Sequence, residues 1–322
     1  MHYSQSEKME IIRLVEQSDL GVIRTLRQLK MNKTTFYNWY NAYEQQGYEG
    51  LARRSDKRKE VWNKINSADR DKVVEIALER PELSSRELAW HITDKYSYYI
   101  SESSVYRILK LNGLVTTPSF RVMSASDSFQ DKTTSVNQMW QTDFTYFKII
   151  GWGWYYLSTI LDDYSRFIIN WKLCTTMKAE DVKNTIDEAL LVSQTKSPPK
   201  LLSDNGSCYI SDELSVYLRD RNMKHIRGRP LHPQTQGKIE RYHRSMKNVV
   251  KLDNYFSPGQ LEDKMKEFVQ YYNYERYHES INNLTPSEVY FGTGERKLKR
   301  RKRIKQQTLI ERKKQNRNIH LN

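Results

Sequence analysis

Three acidic residues stand at positions where their carboxylates could share a metal site. Asp143 lies within an apolar and aromatic segment typical of a β-strand, where an acidic side chain buried without a partner is costly. Asp204 directly follows a short apolar strand, at the carboxyl end where ligand sites form in open α/β sheets. Glu240 lies near the start of a strongly helical segment. We expect this helix to bring Glu240 over the ends of the two strands.

The chemistry expected of these carboxylates is that of a metal-dependent phosphoryl transfer site. Carboxylate oxygens without a histidine or thiolate partner suit a hard divalent cation such as Mg²⁺ or Mn²⁺. Two such ions about 3.5–4 Å apart can stabilise both the attacking and the leaving oxygen of an in-line displacement. Taken singly, Asp204 could be a turn residue, and Glu240 could complement its helix dipole.

The part of the chain from residue 138 onward has the apolar, β-branched runs of strands alternating with helical patterns. Strands are predicted over residues 139–150, 155–162, 167–173, 200–203 and 223–226. Helices are predicted over residues 180–193 and 211–221, and a further helix contains Glu240. This order predicts an α/β fold, a five-stranded mixed sheet with helices on both faces.

The first 115 residues contain two sets of three short helical segments. The first set is predicted over residues 7–16, 20–29 and 34–45, with Asn32 as an N-cap and Gly47 as a stop signal. The second set is predicted over residues 69–79, 84–96 and 103–111, with a capping box of Ser84 and Glu87 and a possible strand at 98–101 that would make it winged.

Each set has the helix-turn-helix pattern of DNA-binding proteins, although a generic three-helix bundle that does not touch DNA remains the alternative. Polar residues open the third helix, and basic residues follow it in the linker. The DNA contacts predicted here are Asn32, Lys33, Thr34, Thr35, Asn38, Arg53 and Arg54.

The charge of the chain is concentrated at its end. The formal net charge is +14, and residues 296–322 hold twelve Lys and Arg residues against Glu311 alone. Such a run suits a polyanion, because each neutralised phosphate releases condensed counterions. A solvated, disordered tail is the alternative.

Several classes of protein are excluded by composition. No run of about 18 apolar residues occurs, so a transmembrane helix is not expected. Cys174 and Cys208 are too few for a disulfide framework or a four-thiolate zinc site. The first ten residues lack the apolar core of a signal peptide. We therefore expect a cytoplasmic, nucleoid-associated protein with no membrane partner.

The predicted domain organisation has six parts. They are a helix-turn-helix domain (1–50), a basic linker (51–66), a second helix-turn-helix domain (67–115), a connector (116–136), an α/β core (137–295) and a basic tail (296–322).

Several separated motifs carry a family resemblance. They are Trp140-Gln141-Thr142-Asp143, Leu161-Asp162-Asp163-Tyr164-Ser165-Arg166, Ser203-Asp204-Asn205-Gly206 and Gly237-Lys238-Ile239-Glu240-Arg241. Thirty-five residues separate Asp204 from Glu240, which matches the spacing of the family. Over residues 138–292 the chain resembles the retroviral-integrase-like class of DDE transposases, especially those of bacterial insertion sequences.

The resemblance implies an RNase H-like core with two Mg²⁺ ions, replaceable by Mn²⁺, on Asp143, Asp204 and Glu240. It implies a polynucleotidyl transferase that binds terminal inverted repeats, cleaves at the 3′ ends and joins them to target DNA. Its expected partners are double-stranded DNA and a second copy of the chain, as a homodimer or higher oligomer. The DNA contacts expected near the carboxylates are Lys238, Arg241, Arg244 and Lys247.

Two other functions remain open at this stage. One is a catalytically silent, multi-helix-turn-helix regulator that keeps the sheet domain for dimerisation. The other is a metal-dependent nuclease that cuts without joining, since it would use the same carboxylates. The His-His-Cys-Cys zinc module of retroviral integrases is absent, which leaves DNA recognition to the N-terminal helices.

Overall fold

The computed structural model describes residues 3–18, 20–52, 62–115, 133–228, 237–250 and 255–318. The chain divides into two compact units, Met1–Lys64 and Ile65–Asn322. No helix within the described ranges is long and apolar enough to cross a membrane.

The first unit contains the three predicted helices. They are α1 (Gln5–Glu16), α2 (Val22–Gln28) and α3 (Lys33–Gly50). Asn32 is the N-cap of α3, and its side chain accepts a hydrogen bond from the Thr34 N–H at 2.9 Å. Gly47 interrupts α3 with φ 63° and ψ −153°, a backbone conformation that favours glycine. The predicted cap and stop signal are therefore confirmed, although helical residues resume after Gly47.

The apolar core of this unit is small. Its buried members are Ile12, Val15, Leu26, Phe36 and Leu51. They come from all three helices and from the residue that follows α3, so burying them holds the helices together.

The second unit begins with another set of three helices. They are α4 (Ser67–Glu79), α5 (Ser85–Tyr96) and α6 (Glu102–Leu111). The Ser84–Glu87 capping box at the start of α5 is confirmed. The strand considered at residues 98–101 is wrong, since these residues form no strand. Their backbone instead bonds to a distant helix, which accounts for the difference and leaves this domain without the possible wing.

A five-stranded sheet follows. Its strands are β1 (Met139–Ile149), β2 (Gly153–Asp162), β3 (Ile168–Cys174), β4 (Lys200–Ser203) and β5 (His225–Arg227). The strand order is β3-β2-β1-β4-β5, with β1–β2 and β2–β3 antiparallel and β1–β4 and β4–β5 parallel. The predicted mixed sheet is confirmed.

Helices cover both faces of the sheet. Helices α7 (Ala179–Ser193), α8 (Ser207–Ile210) and α9 (Asp212–Asp220) enclose a core with Trp140 and Ile160. Helices α10 (Gly237–Val250) and α11 (Pro258–Tyr274) enclose a second core with Phe147 and Leu161. The sheet therefore sits between two apolar layers, as the sequence predicts.

The chain continues beyond the sheet with more helices. They are a 3₁₀ turn (Glu279–Ile281), α12 (Pro286–Tyr290) and α13 (Gly294–Asn318). Helix α13 runs across the boundary predicted between residues 295 and 296, so the described part of the basic tail is helical. Its Ile304, Thr308 and Arg312 are buried. The Tyr99 N–H donates to Thr308 Oγ1 at 3.0 Å, and Arg312 donates to the Tyr99 carbonyl at 2.5 Å. Residues 98–101, the segment considered as a wing, therefore pack against α13 instead of forming a strand.

Candidate active site

Asp143 and Asp204 lie at the same edge of the sheet. Strands β1 and β4 are parallel neighbours, with Trp140 opposite Leu201 and Gln141 opposite Leu202. If this register is extended by two residues, Asp143 lies opposite Asp204. Strand β4 ends at Ser203, immediately before Asp204. The parallel pairing therefore brings the two aspartates to neighbouring positions, as the strand assignment predicted.

The turn after β4 holds the Asp204 carboxylate outward. The Gly206 N–H donates to Asp204 Oδ1 at 2.8 Å, and Asp204 is exposed. A Cβ at position 206 would stand 3.0 Å from that oxygen, so glycine allows this close approach. The Asn205 amide donates to the Gly228 carbonyl at 2.8 Å and fixes the turn against the end of β5.

Asp143 is half-buried on β1 and lies against helix α10. Its Oδ1 accepts from the Phe144 N–H at 2.8 Å, and its Oδ2 lies 3.3 Å from Nδ1 of His243. His243 is buried, and its Nε2 has no hydrogen-bond partner. The structure therefore places the His243 ring beside the Asp143 carboxylate.

Glu240 lies in the first turn of α10 and is electrostatically coupled to Asp143. Partial burial raises the pKa of the Glu240 carboxyl above its ordinary value, and the nearby Asp143 carboxylate adds to this rise. Arg244, His243 and Arg241 oppose it. Repulsion from the Asp143 carboxylate thus adds to burial in favouring the protonated form of Glu240.

The two aspartates also share an electrostatic neighbourhood. Burial raises the pKa of the Cys208 thiol to about 11, with Asp204 and then Asp143 adding to the rise. Burial also raises the pKa of Tyr209, and both aspartates contribute there as well. Both carboxylates therefore contribute negative electrostatic potential at α8, which carries Cys208 and Tyr209.

A buried polar network anchors the start of α10 to β1. The Ile239 N–H donates to Gln141 Oε1 at 3.1 Å, and Gln141 Nε2 donates to Asp163 Oδ1 at 2.6 Å. Lys238 donates to Asp163 Oδ2 at 2.6 Å. Glu240 is the next residue after Ile239, so this network fixes its backbone over the sheet. Sequence reasoning missed Gln141, although an amide within a buried strand was a signal.

Asp162 and Asp163 are engaged in the fold. Asp162 is fully buried and accepts from the Asn137 N–H and from the Ser165 N–H and hydroxyl. Burial raises the pKa of Asp162, and these hydrogen bonds oppose the rise. The paired acids therefore close the turn between β2 and β3 and support α10.

The donor chemistry of Asp143, Asp204 and Glu240 fits a hard divalent cation, because all their donors are carboxylate oxygens. A cation would offset the partial burial and the nearby Asp143 charge that together raise the Glu240 pKa. Across the described ranges, no three His, Cys, Asp or Glu side chains are gathered closely enough to hold a metal ion in this structure. The three carboxylates therefore have the donor type and the charge that a divalent metal ion requires. In this structure their side chains do not converge on one point.

The predicted DNA contacts fall into three groups. On α10, Arg241 and Arg244 are exposed and Lys247 is half-buried, whereas Lys238 is paired with Asp163. In the first unit, Asn32, Lys33, Thr34 and Asn38 are exposed at the start of α3, and Thr35 is half-buried. Arg53 and Arg54 lie outside the described residues.

Protein-family comparisons match both parts of the chain. Residues 133–233 match a family model described as "Integrase core domain", and residues 221–286 match a second model with the same description. Residues 2–52 and 35–109 match two models described as "Homeodomain-like domain". The sheet therefore lies in an integrase core region, and the N-terminal helices lie in homeodomain-like regions.

Similar curated proteins are retroviral polyproteins. The Gag-Pro-Pol polyprotein of Mason-Pfizer monkey virus is 32% identical over 115 residues, which is 35% of this chain and 6% of that protein. The Pol-related polyprotein of the mouse intracisternal A-particle MIA14 is 31% identical over 114 residues, which is 35% of this chain and 13% of that protein. The chain thus spans a small part of these relatives.

Solved structures similar to this chain include an integrase catalytic core domain and a chain of an intasome. The HTLV-2 integrase catalytic core domain in complex with magnesium is 19% identical, with a TM-score of 0.40 over 48% of this chain and 97% of that one. A chain of the simian T-cell lymphotropic virus intasome in complex with PP2A regulatory subunit B56 gamma is 16% identical, with a TM-score of 0.45 over 68% and 74%.

Proposed function

We propose that this protein is a DNA transposase of the bacterial insertion-sequence type. The proposal starts from its integrase core region and its homeodomain-like helical regions. It binds the terminal inverted repeats of an element, cleaves at their 3′ ends and joins the freed 3′-hydroxyls to target DNA. The observation that carries this proposal is the placement of Asp143 and Asp204 at one edge of parallel β1 and β4, with Glu240 coupled to Asp143.

The catalytic residues of this proposal are Asp143, Asp204 and Glu240. They would hold two Mg²⁺ ions, or Mn²⁺ in their place, which supply charge stabilisation for the attacking and leaving oxygens when bound. The Gly206 N–H holds Asp204 outward, and His243 lies against Asp143. The Gln141–Asp163–Lys238 network anchors the start of α10, which carries Glu240, to β1.

The charged face of α10 supports a role in holding DNA. Arg244 and Lys247 follow Glu240 by four and seven residues, so the three share one side of the helix. With Arg241 they place positive charge beside the carboxylates, where phosphates of a DNA end would otherwise be repelled. We assign Lys238 a positioning role, because Asp163 accepts its hydrogen bonds.

Sequence recognition belongs, in this proposal, to the helical domains. The start of α3 presents Lys33, Thr34 and Asn38 to solvent, and the N-terminal residues of a recognition helix contact base edges in the major groove. Asn32, Thr35, Arg53 and Arg54 complete the proposed contacts. Because two element ends must be brought together, we expect a homodimer or higher oligomer on DNA.

The test is a strand-transfer assay on labelled duplexes that carry the element's end sequence, with Mg²⁺. The variant Asp204→Asn should bind the duplex as well as the wild type and yield no joined product. Asp212→Asn, which removes an acid in the first turn of α9, is the matched control and should join normally. Joining by Asp204→Asn would overturn the assignment.

The same assay separates the other two candidate functions. A nuclease without joining activity would give Mg²⁺-dependent nicks in the wild type and no joined product. A silent regulator would bind the duplex and give neither product.

A further inference from the structure

The hairpin of β1 and β2 extends past the rest of the sheet, next to the candidate site. Strand β4 ends at Ser203, whereas β1 continues to Ile149 and pairs there with β2 alone. Phe144 lies opposite Ser158, and Ile149 lies opposite Gly153 at the tip. Strand β3 still pairs with β2 as far as Tyr156, which lies opposite Tyr146, so the hairpin is two-stranded only from Phe147 to its tip.

Four aromatic side chains are exposed on and beside this hairpin. They are Tyr146, Trp152, Trp154 and Phe256, each 51–65% exposed, and we call them the aromatic platform. The rings of Tyr146 and Trp154 meet edge to face at 5.5 Å, and Trp152 Nε1 donates to the Phe256 carbonyl at 3.1 Å. Large aromatic rings exposed to water in two such pairs indicate an interaction surface.

Two lysines lie beside rings of the platform, and one of them belongs to the helix that carries Glu240. Lys148 lies 5.9 Å from the ring centre of Trp154, and Lys247 lies 5.2 Å from that of Tyr146. Lys247 is two helical turns beyond Glu240, on the same side of α10. Lys247 therefore links the ring of Tyr146 to the helix that carries the third carboxylate.

The combination of exposed rings and lysines indicates which kind of ligand the platform binds. Unpaired bases stack on aromatic rings regardless of sequence, while cations beside the rings hold the phosphates between them. Protein–protein interfaces are depleted in lysine at their cores, so a second copy of the chain fits the Lys148 and Lys247 positions less well.

We propose that the aromatic platform binds unpaired nucleotides at the end of the DNA duplex, an inference that rests on the proposed function. Duplex DNA held along α10 would leave its frayed terminal bases on the hairpin. Stacking there offsets the loss of base pairing at the end and keeps the opened strands apart beside Asp143, Asp204 and Glu240.

The experiment compares two labelled duplexes of the same sequence, one blunt and one with a single-stranded extension of about four nucleotides. Binding to the full chain is measured by fluorescence anisotropy without divalent metal. The wild type should prefer the extended duplex. The double variant Tyr146→Ala, Trp154→Ala should lose about 5- to 100-fold in affinity for the extended duplex and less than about twofold for the blunt one.

Two controls separate stacking from general damage. Trp154→Phe keeps a ring and should retain most of the preference for the extended duplex. Leu191→Ala removes an exposed apolar side chain from α7, away from the hairpin, and should change neither affinity. Thermal melting of each variant checks that the fold is intact.

An unchanged preference in the double variant would overturn the platform. So would a change from dimer to monomer in sedimentation with no change in DNA preference, because the platform would then be a contact between copies. Binding is measured apart from catalysis, so a chain that prefers the extension but never joins DNA contradicts only the proposed function. Conversely, a wild-type chain that joins DNA normally but shows no preference for the extended duplex contradicts only the platform.

Discussion

Arg301 of α13 and Asp94 of α5 form a bidentate ion pair, although they are 207 positions apart in the chain. Arg301 Nε and Nη2 donate to the two carboxylate oxygens at 2.8 and 2.7 Å, and the side chains are only 4% and 10% exposed. Lys297 adds a second cation at 2.8 Å. These partners hold the pKa of Asp94 below its ordinary value against the effect of burial. The pair thus fastens α13 to the second set of helices.

Breaking this pair should destabilise the second unit. In Asp94→Asn, the buried guanidinium of Arg301 keeps its charge but loses its anionic partner, so we expect a loss of about 3 kcal/mol in the free energy of unfolding. Urea unfolding followed by circular dichroism measures it. Glu262→Gln, which breaks the exposed pair with Lys266, is the control and should cost less than about 0.5 kcal/mol.

Removing both charges offers a sharper check. The double variant Asp94→Asn, Arg301→Met should recover part of the loss, because no unpaired charge then remains buried. If the double variant is no more stable than Asp94→Asn alone, the ion pair is not the source of the effect.

A second prediction concerns Lys238 and Asp163, which brace the start of α10. Lys238→Met removes the ammonium that donates to Asp163 at 2.6 Å. If Lys238 positions Glu240, strand transfer should fall about 10- to 100-fold while DNA affinity stays near normal. If Lys238 instead contacts a phosphate, affinity and its salt dependence should fall together. Assays of both on the same preparation decide between the two roles.

The sequence predicted the elements that carry the three carboxylates. Strands β1 and β4 were found from apolar residues that pack into the cores, such as Trp140 and Leu201 on one face of the sheet and Phe147 on the other. The cap at Asn32 and the capping box at Ser84 were found because these signals are local and lie within a few residues.

Helix α13 could not be found from the same patterns. Its buried side includes Arg301 and Arg312, so no apolar periodicity marks it. Their partners, Asp94 and Tyr99, lie some 200 residues earlier in the chain. From the sequence alone, the basic run is therefore interpreted as a solvated tail. Only the folded structure brings it against the Asp94 carboxylate and the Tyr99 carbonyl. Gln141 was missed for a similar reason, since its partner Asp163 lies on the far side of a hairpin.

A third prediction concerns pH and His278. Burial lowers the pKa of His278 from 6.5 to about 3, with Arg276, Arg166 and Arg86 adding to the effect. In the unfolded chain this imidazole takes up a proton below about pH 6.5, whereas in the folded protein it stays neutral. The unfolded state therefore binds more protons, and stability falls as the pH drops from about 6.5 toward 3.

The expected loss is about 1 kcal/mol between pH 7 and pH 5.5 for this one group. His278→Phe keeps a ring against Tyr272, whose centre lies 4.8 Å away, and cannot be protonated. Its unfolding free energy should therefore depend less on pH by about that amount. Equal pH dependence of wild type and variant in urea unfolding would show that His278 is not buried as a neutral group.

The last prediction concerns the exposed side of α13. Lys299 and Arg303 lie four residues apart and are exposed, on a helix whose Arg301, Ile304 and Thr308 are buried. A basic helix fixed in this way presents its charges in a row that suits the phosphates of duplex DNA. If both side chains contact phosphates, the variant Lys299→Gln, Arg303→Gln should lower the slope of log affinity against log salt by about 1.8. Lys266→Gln on α11 removes one exposed positive charge elsewhere and should leave the slope unchanged. An unaltered slope in the double variant would mean that α13 serves the fold through Arg301 and Arg312 and takes no part in binding DNA.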